Sequence, residues 1–140
     1  MVTYKLNLFI IKPPLNMITG IDHIDLTVGD VETSIAFFTA LGFKLVRRTT
    51  HGGEAAELQY PGENQPIIEL HPAQLPDGNE QPIGLGHIAF KVNDINAIAD
   101  LVNEKGIEVL RAPEFYEVTG RTLFSIRDPD GGKLQFIEKS

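Results

Sequence analysis

Cysteine is missing from all 140 residues, so neither disulfide staples nor a thiol nucleophile can be part of this protein. That absence suits a reducing compartment, and a cytoplasmic location is expected. Basic residues are few: 12 Lys and Arg stand against 19 Asp and Glu, a net charge of −7. Nucleic acids and anionic membranes are both gripped by basic surfaces, so this balance argues against either partner. Long apolar runs are lacking too. The nearest, Leu6 to Ile11, is followed by Pro13-Pro14, falls far below the ~20 apolar residues of a spanning helix and has no signal-cleavage pattern. What remains is 42% apolar and 22% charged residues, an ordinary globular composition in a chain long enough for one substantial core.

The sequence repeats itself. G-I-D-H-I-D-L-T-V-G-D (20–30) lies over G-L-G-H-I-A-F-K-V-N-D (84–94) with a shift of 64 residues. His23 then matches His87, Asp30 matches Asp94, Gly42 matches Gly106 and Arg47 matches Arg111. Near the module ends, Q-P-I-I-E-L (65–70) is laid over L-Q-F-I-E-K (134–139), which pairs Glu69 with Glu138. Repetition of this kind is an architectural signal. It predicts an α+β fold of two βαβββ modules forming a curved mixed sheet, module one over 20–72, a Pro- and Gly-rich linker over 73–85 and module two over 86–140. Residues 1–19 read as an N-terminal arm: the alternation of Leu6, Leu8 and Ile10 allows an extra edge strand, and Met17 before the first module allows a translated leader, but a poorly ordered or partner-bound arm is expected.

Within module one the two-residue period sends Ile24, Leu26 and Val28 to one face of the first strand, and His23, Asp25 and Thr27 to the other. A helix covers the apolar face: Asp30 is its N-cap, Val31, Ile35, Phe38 and Leu41 form its apolar stripe, and Gly42 stops it. Module two repeats this with Asp94, then Ile95, Ile98, Leu101 and Val102, then Gly106. Both His therefore belong to the sheet face that no helix covers. Phe43 to Thr49, Glu54 to Tyr60 and Pro66 to His71 read as the later strands of module one, and Arg121 to Arg127 and Lys133 to Glu138 as a hairpin of module two closed by Asp128-Pro129-Asp130-Gly131-Gly132. Ile67 shares a strand face with Glu69, as Phe136 does with Glu138, which would give the carboxylates an apolar wall.

Two His and two Glu at matched positions are what a metal centre looks like in sequence. Taken singly, each is more simply an ordinary strand residue; the matching is what favours ligation. Imidazole nitrogen and carboxylate oxygen suit one divalent ion per site, Ni, Co, Zn, Fe or Mn. Four protein donors leave two octahedral positions open for water or substrate, and an open metal is a Lewis acid.

The repeated βαβββ pattern, with G-I-D-H-I-D-L-T-V-G-D, I-I-E-L, G-H-I-A-F-K-V and R-D-P-D-G-G-K-L-Q-F-I-E as its signals over 20–139, resembles the vicinal oxygen chelate superfamily. That superfamily includes glyoxalase I, methylmalonyl-CoA epimerase, extradiol dioxygenases and bleomycin-binding proteins. The ligand set His23, Glu69, His87 and Glu138 is similar to that of glyoxalase I. The resemblance implies a lyase or isomerase acting on a small substrate that chelates the metal through two oxygens, with Glu138, or Glu69 in its place, as the base. Dioxygenases of the family use two His and one Glu, and epimerases usually have Gln where Glu69 stands; either activity, or a binding and resistance role, is the alternative.

The chain departs from glyoxalase I where glutathione is gripped, since Thr27 and Ala73 replace the family's Arg and Asn. Lys91 and Arg121, with Ile67 and Phe136, are the candidates for substrate contact, and Arg47 and Arg48 are further cations. His51 reads as a surface residue, and His71, next but one to Glu69 on its strand face, as a group supporting the centre. The resemblance allows sites made within one chain or across a dimer; a homodimer with shared sites is expected, His23 and Glu69 of one chain meeting His87 and Glu138 of the other.

Overall fold

The computed structural model describes residues 17–50, 52–117 and 119–139. The expected N-terminal arm around Leu6 to Ile11, and His51, expected at the surface, lie outside them. The described chain is α+β: two helices and eight strands in the order β1 (Ile18–Val28), α1 (Val31–Ala40), β2 (Lys44–Thr49), β3 (Ala55–Gln59), β4 (Ile67–Pro72), β5 (Gly84–Val92), α2 (Ile95–Glu104), β6 (Val109–Tyr116), β7 (Arg121–Arg127) and β8 (Lys133–Lys139). The order is βαβββ twice. By contacts the chain forms two compact units, residues 21–88 and residues 89–139 together with 17–20.

Both helices start and stop where the sequence says they should. The Asp30 carboxylate accepts the Glu32 N–H at 3.1 Å, and that of Asp94 accepts the Ala97 N–H at 3.1 Å, each satisfying a donor that the first helical turn leaves open. Gly42 (φ 103°) and Gly106 (φ 69°) then take left-handed backbone that other residues resist. Leu41, expected on the buried stripe, is instead the C-cap of α1 and 57% exposed. The stripe ends one turn earlier, at Phe38.

In the first unit the strand order is β2-β3-β4-β1, with β3 antiparallel to both neighbours and β1 parallel to β4. One face packs on α1: Val31, Ala56, Leu58 and Leu70 are buried together, and Leu26, Val28, Ile35, Phe38 and Ile68 close round them. Full burial of side chains such as Leu58 and Leu70 contributes about 1.5–3 kcal/mol each. The second unit packs likewise. β6, β7 and β8 are antiparallel, and Phe124, Ile126 and Phe136 are buried against Ile95, Ile98, Ala99 and Val102 of α2.

The strand registers fix which residues are equivalent. In the first unit Ala56 faces Leu70 and Leu58 faces Ile68 on the helix side, with Glu57 opposite Glu69 on the other side. In the second, Phe124 faces Phe136 and Ile126 faces Leu134 on the helix side, with Ser125 opposite Gln135 on the other. The counterpart of Glu69 is therefore Gln135, which is 9% exposed. Glu138, three residues on, pairs with Thr122 on the side of Phe136, and its Oε1 accepts the N–H of Ile95 at the start of α2, 3.3 Å away. Phe136 is likewise core, 6% exposed and stacked on Phe124 with ring centroids 5.9 Å apart. The expected equivalence of Glu69 and Glu138, and the expected role of Phe136 as a wall beside a carboxylate, both fail on this alternation of faces.

Candidate metal centre

β1 and β4 run parallel, so residues of the same parity stand side by side: His23 beside Ile67, Asp25 beside Glu69, Thr27 beside His71. All six belong to the face that α1 leaves open. His87, from the start of β5, belongs to the same compact unit and reaches the same place. Its Nε2 lies 3.1 Å from His23 Nε2, with the two rings edge to face. Glu69 Oε2 is 3.7 Å from His23 Nε2, and Glu69 Oε1 is 3.2 Å from His71 Nε2. Asp25, Glu69 and His71 also offer donor atoms that all lie within 4.8 Å of one another. The structure thus brings together His23, Glu69, His87 and His71 within one unit of one chain.

Two further carboxylates set the rings. Asp22 Oδ2 accepts a hydrogen bond from His23 Nδ1 at 2.8 Å. Asp25 divides its oxygens between two imidazoles: Oδ1 meets His71 Nδ1, and Oδ2 lies 3.4 Å from His87 Nδ1. Both aspartates are buried, 5% and 8% exposed. Burial opposes ionisation of Asp25, yet the His71 hydrogen bond and the charges of His71, His87 and His23 outweigh it and hold the carboxyl below its ordinary value. Space for Asp25 comes from Gly86, where any side chain would collide with Oδ2.

This wiring decides what the centre can hold. An imidazole whose Nδ1–H is committed to a carboxylate presents Nε2 as a lone pair. With Asp22 and Asp25 in place, two lone pairs face each other across 3.1 Å, with the Glu69 carboxylate beside them. Neutral rings in that tautomer repel each other unless a proton or a metal ion stands between them, and bonds of about 2.1 Å at near-right angles put neighbouring donors about 3 Å apart, which this spacing matches. Carboxylate, imidazole, metal is moreover the usual way in which a ligating His is oriented. The residues fit a divalent ion.

Residues 20–136 match the glyoxalase/bleomycin resistance protein/dioxygenase superfamily. The chain belongs to that superfamily. It is 30% identical over 123 residues to a probable lactoylglutathione lyase of Synechocystis, covering 84% of this chain and 94% of the relative. It is 33% identical over 121 residues to lactoylglutathione lyase of Haemophilus influenzae, covering 83% and 90%. Among solved structures, methylmalonyl-CoA epimerase from Mycobacterium tuberculosis is similar with a TM-score of 0.71 at 19% identity, over 92% of this chain and 93% of that one. The Streptomyces coelicolor epimerase gives 0.69 at 22%, over 88% and 99%. At such identities the structural likeness speaks for the fold alone.

Other expected contacts are placed as follows. Ile67 is half-buried on β4, alongside His23 and on the face of Glu69. Lys91 follows His87 on the helix-free side of β5, and Arg121 opens β7 on the side of Ser125. Arg47 is ion-paired with Glu57, which raises its already high pKa, and Arg48 with Glu32 at the surface. Those two guanidiniums are committed within the chain. The expected shared-site arrangement would take His23 and His87 from different chains, whereas here one chain holds them 3.1 Å apart. Sequence reasoning gave Asp22 and Asp25 no role. The visible signal was the spelling D-H-I-D around His23, which sets one acid next to the ring and another on its own strand face.

Proposed function

We propose that this protein is a metal-dependent lyase or isomerase of the glyoxalase type, moving a proton within a small substrate that offers two oxygens. The observation that carries the reading is the convergence of His23 and His87 Nε2 at 3.1 Å beside Glu69, with both Nδ1 atoms turned to carboxylates. His23, His87 and Glu69 would hold the ion; when bound, it supplies Lewis acidity toward the oxygens of the substrate. Glu69 takes a proton from one carbon and returns it to the neighbour. It is the base because Glu138 sits on the helix side of β8 and Gln135, at the equivalent position, cannot serve. Ile67 lies on the same strand face as that carboxylate. The lactoylglutathione lyase names of the sequence relatives support this reaction class. Thr27 and Ala73 offer no cation or amide to a glutathione carboxylate, so the thiol partner is expected to be smaller or differently charged than glutathione.

Elemental analysis of purified protein, followed by conversion of methylglyoxal with a series of thiols, tests the proposal. One divalent ion per centre, lost in His23→Ala, together with activity lost in Glu69→Gln by two or more orders of magnitude, is the expected outcome. Metal content equal in wild type and His23→Ala overturns it. A second reading, an epimerase-like isomerase, is favoured by the pairing of one Glu with one Gln at equivalent strand positions; exchange of the α-proton of methylmalonyl-CoA with solvent deuterium, without thiol-dependent turnover, would select it.

A further inference from the structure

We infer that the outward face of α1 is where two copies of this chain pair, helix against helix, about a twofold axis. The two helices differ in what they leave exposed. In α2 the apolar Ile95, Ile98, Ala99 and Val102 are buried, and the charged Asp100 and Glu104 are exposed. In α1 the outer face is apolar as well. Residues 33–43, T-S-I-A-F-F-T-A-L-G-F, include no charged side chain, yet only Val31 of the helix is buried. A helix apolar all round is ordinarily covered on every side. Ile35 and Phe38 pack inward on the sheet. On the opposite side stand Ala36 and Ala40, one turn apart, and beside them Thr33, Phe37 and Leu41, again one turn apart. All five are exposed, Phe37 by 61% and Leu41 by 57%. Tyr60, 46% exposed and edge to face with Phe43, extends the apolar surface past Gly42.

Shape and charge select a second copy as the occupant. The alanine row is a shallow groove beside a ridge of larger side chains, and in an antiparallel pair the Phe37 ridge of each copy enters the groove of the other. One surface thus supplies both halves of the fit, as a twofold contact requires. The charges agree. Asp30 and Glu32, with Arg48 bound to Glu32, leave the start of α1 net negative, and Lys44 makes its end positive. Antiparallel pairing sets each end against its opposite. Nucleic acid or an anionic lipid surface finds no such complement, since Lys44, Arg47 and Arg48 are all the basic side chains of residues 21–88. The candidate metal centre lies on the sheet face that α1 leaves open, so this pairing is independent of the proposed reaction.

Sedimentation velocity of the full chain, from low micromolar to submillimolar concentration, reads the association directly. A reversible dimer is expected. Phe37→Asp and Ala40→Arg should each weaken it about 30-fold or more, the loss that goes with a central aromatic anchor or a filled groove. Both positions are exposed in the single chain, so urea unfolding of the monomers should keep the wild-type midpoint, which separates a lost interface from a lost fold. The lack of cysteine gives a second probe that needs no disruption. Ala40→Cys should be joined into covalent dimers by a short bismaleimide, whereas Lys133→Cys, exposed at the start of β8, should stay single. A chain that is monomeric at every concentration overturns the inference, whether α1 is then covered by the N-terminal segment of its own chain or by solvent. A dimer that keeps its wild-type Kd in both variants, with no cross-link at Ala40→Cys, also overturns it, because the copies then meet elsewhere.

Discussion

Gly86 tests the wiring of the centre without any metal. Its φ is outside the left-handed region, so alanine meets no backbone penalty there. The main obstacle is the Asp25 side chain, with the Asp25 carbonyl oxygen next at 3.3 Å. An added Cβ would collide with Asp25 Oδ2 and come within 3.1 Å of its Cγ, so the carboxylate would have to retreat by about 1 Å. The contact from Oδ2 to His87 Nδ1, already 3.4 Å, is the one such a retreat breaks. Leaving a buried charge with one partner fewer costs about 1.5–3 kcal/mol. Replacing glycine by alanine returns about 0.4–1 kcal/mol by restricting the unfolded chain. Gly86→Ala should therefore destabilise the metal-free protein by about 1–2 kcal/mol.

The cause is isolated by a double-mutant cycle with Asp25→Ala, read by urea unfolding. Without the Asp25 carboxylate only the backbone oxygen of residue 25, 3.3 Å away, still crowds the new methyl group, and Gly86→Ala becomes close to neutral. The coupling energy is then about 1–2 kcal/mol. Equal destabilisation in both backgrounds would refute the reasoning, because it would place the cost in the backbone of β5 and not in the support of the rings.

Other outcomes follow from the same geometry. Glu138→Ala should leave metal stoichiometry unchanged and cost about 1 kcal/mol or less, the value of one solvent-screened contact at the start of α2; loss of metal would restore Glu138 to the centre. Phe124→Ala, which empties a fully buried site against α2, should cost about 3–5 kcal/mol in denaturant unfolding, with smaller loss meaning that the second core is not packed as described. The folded-state pKa of Asp25 is depressed, so its contribution to stability is complete above the ordinary carboxylate pKa and is lost as pH falls through the lower folded value; Asp25→Asn should flatten that part of the acid unfolding curve, and an unchanged slope counts against the pairing. Mixing His23→Ala chains with His87→Ala chains should regenerate no centre, since each chain must supply both rings; recovered metal binding would show that the rings come from different chains.

The modules, their caps and their buried faces were legible because each is a local property repeated twice. Asp30 and Asp94 cap, Gly42 and Gly106 stop, and the alternation along β1 and β5 separates His23 and His87 from the apolar residues beneath the helices. One expectation failed where a local pattern was extended by one step too many. Leu41 continues the helical spacing but falls where the chain already turns into Gly42, so it meets solvent. The misplacement of Glu138 has a different origin. Matching I-I-E-L to F-I-E-K preserved the residue letters and sacrificed the alternation of faces: Leu70 and Phe136, both core residues opposite Ala56 and Phe124, are the true counterparts.

Asp25 shows what a linear reading lacks. Its strand position announced only that it shares a face with His23. Its role depends on three other places in the chain, His71 two residues beyond Glu69, His87 at the start of β5 and the missing side chain of Gly86, which only the pairing of strands makes neighbours. A carboxylate left alone on that face would be expelled by its desolvation cost. Its retention at 8% exposure requires the two rings, and the two rings gain defined tautomers from it. That mutual dependence is why the identity of residue 25 bears on how the rings of the centre are held.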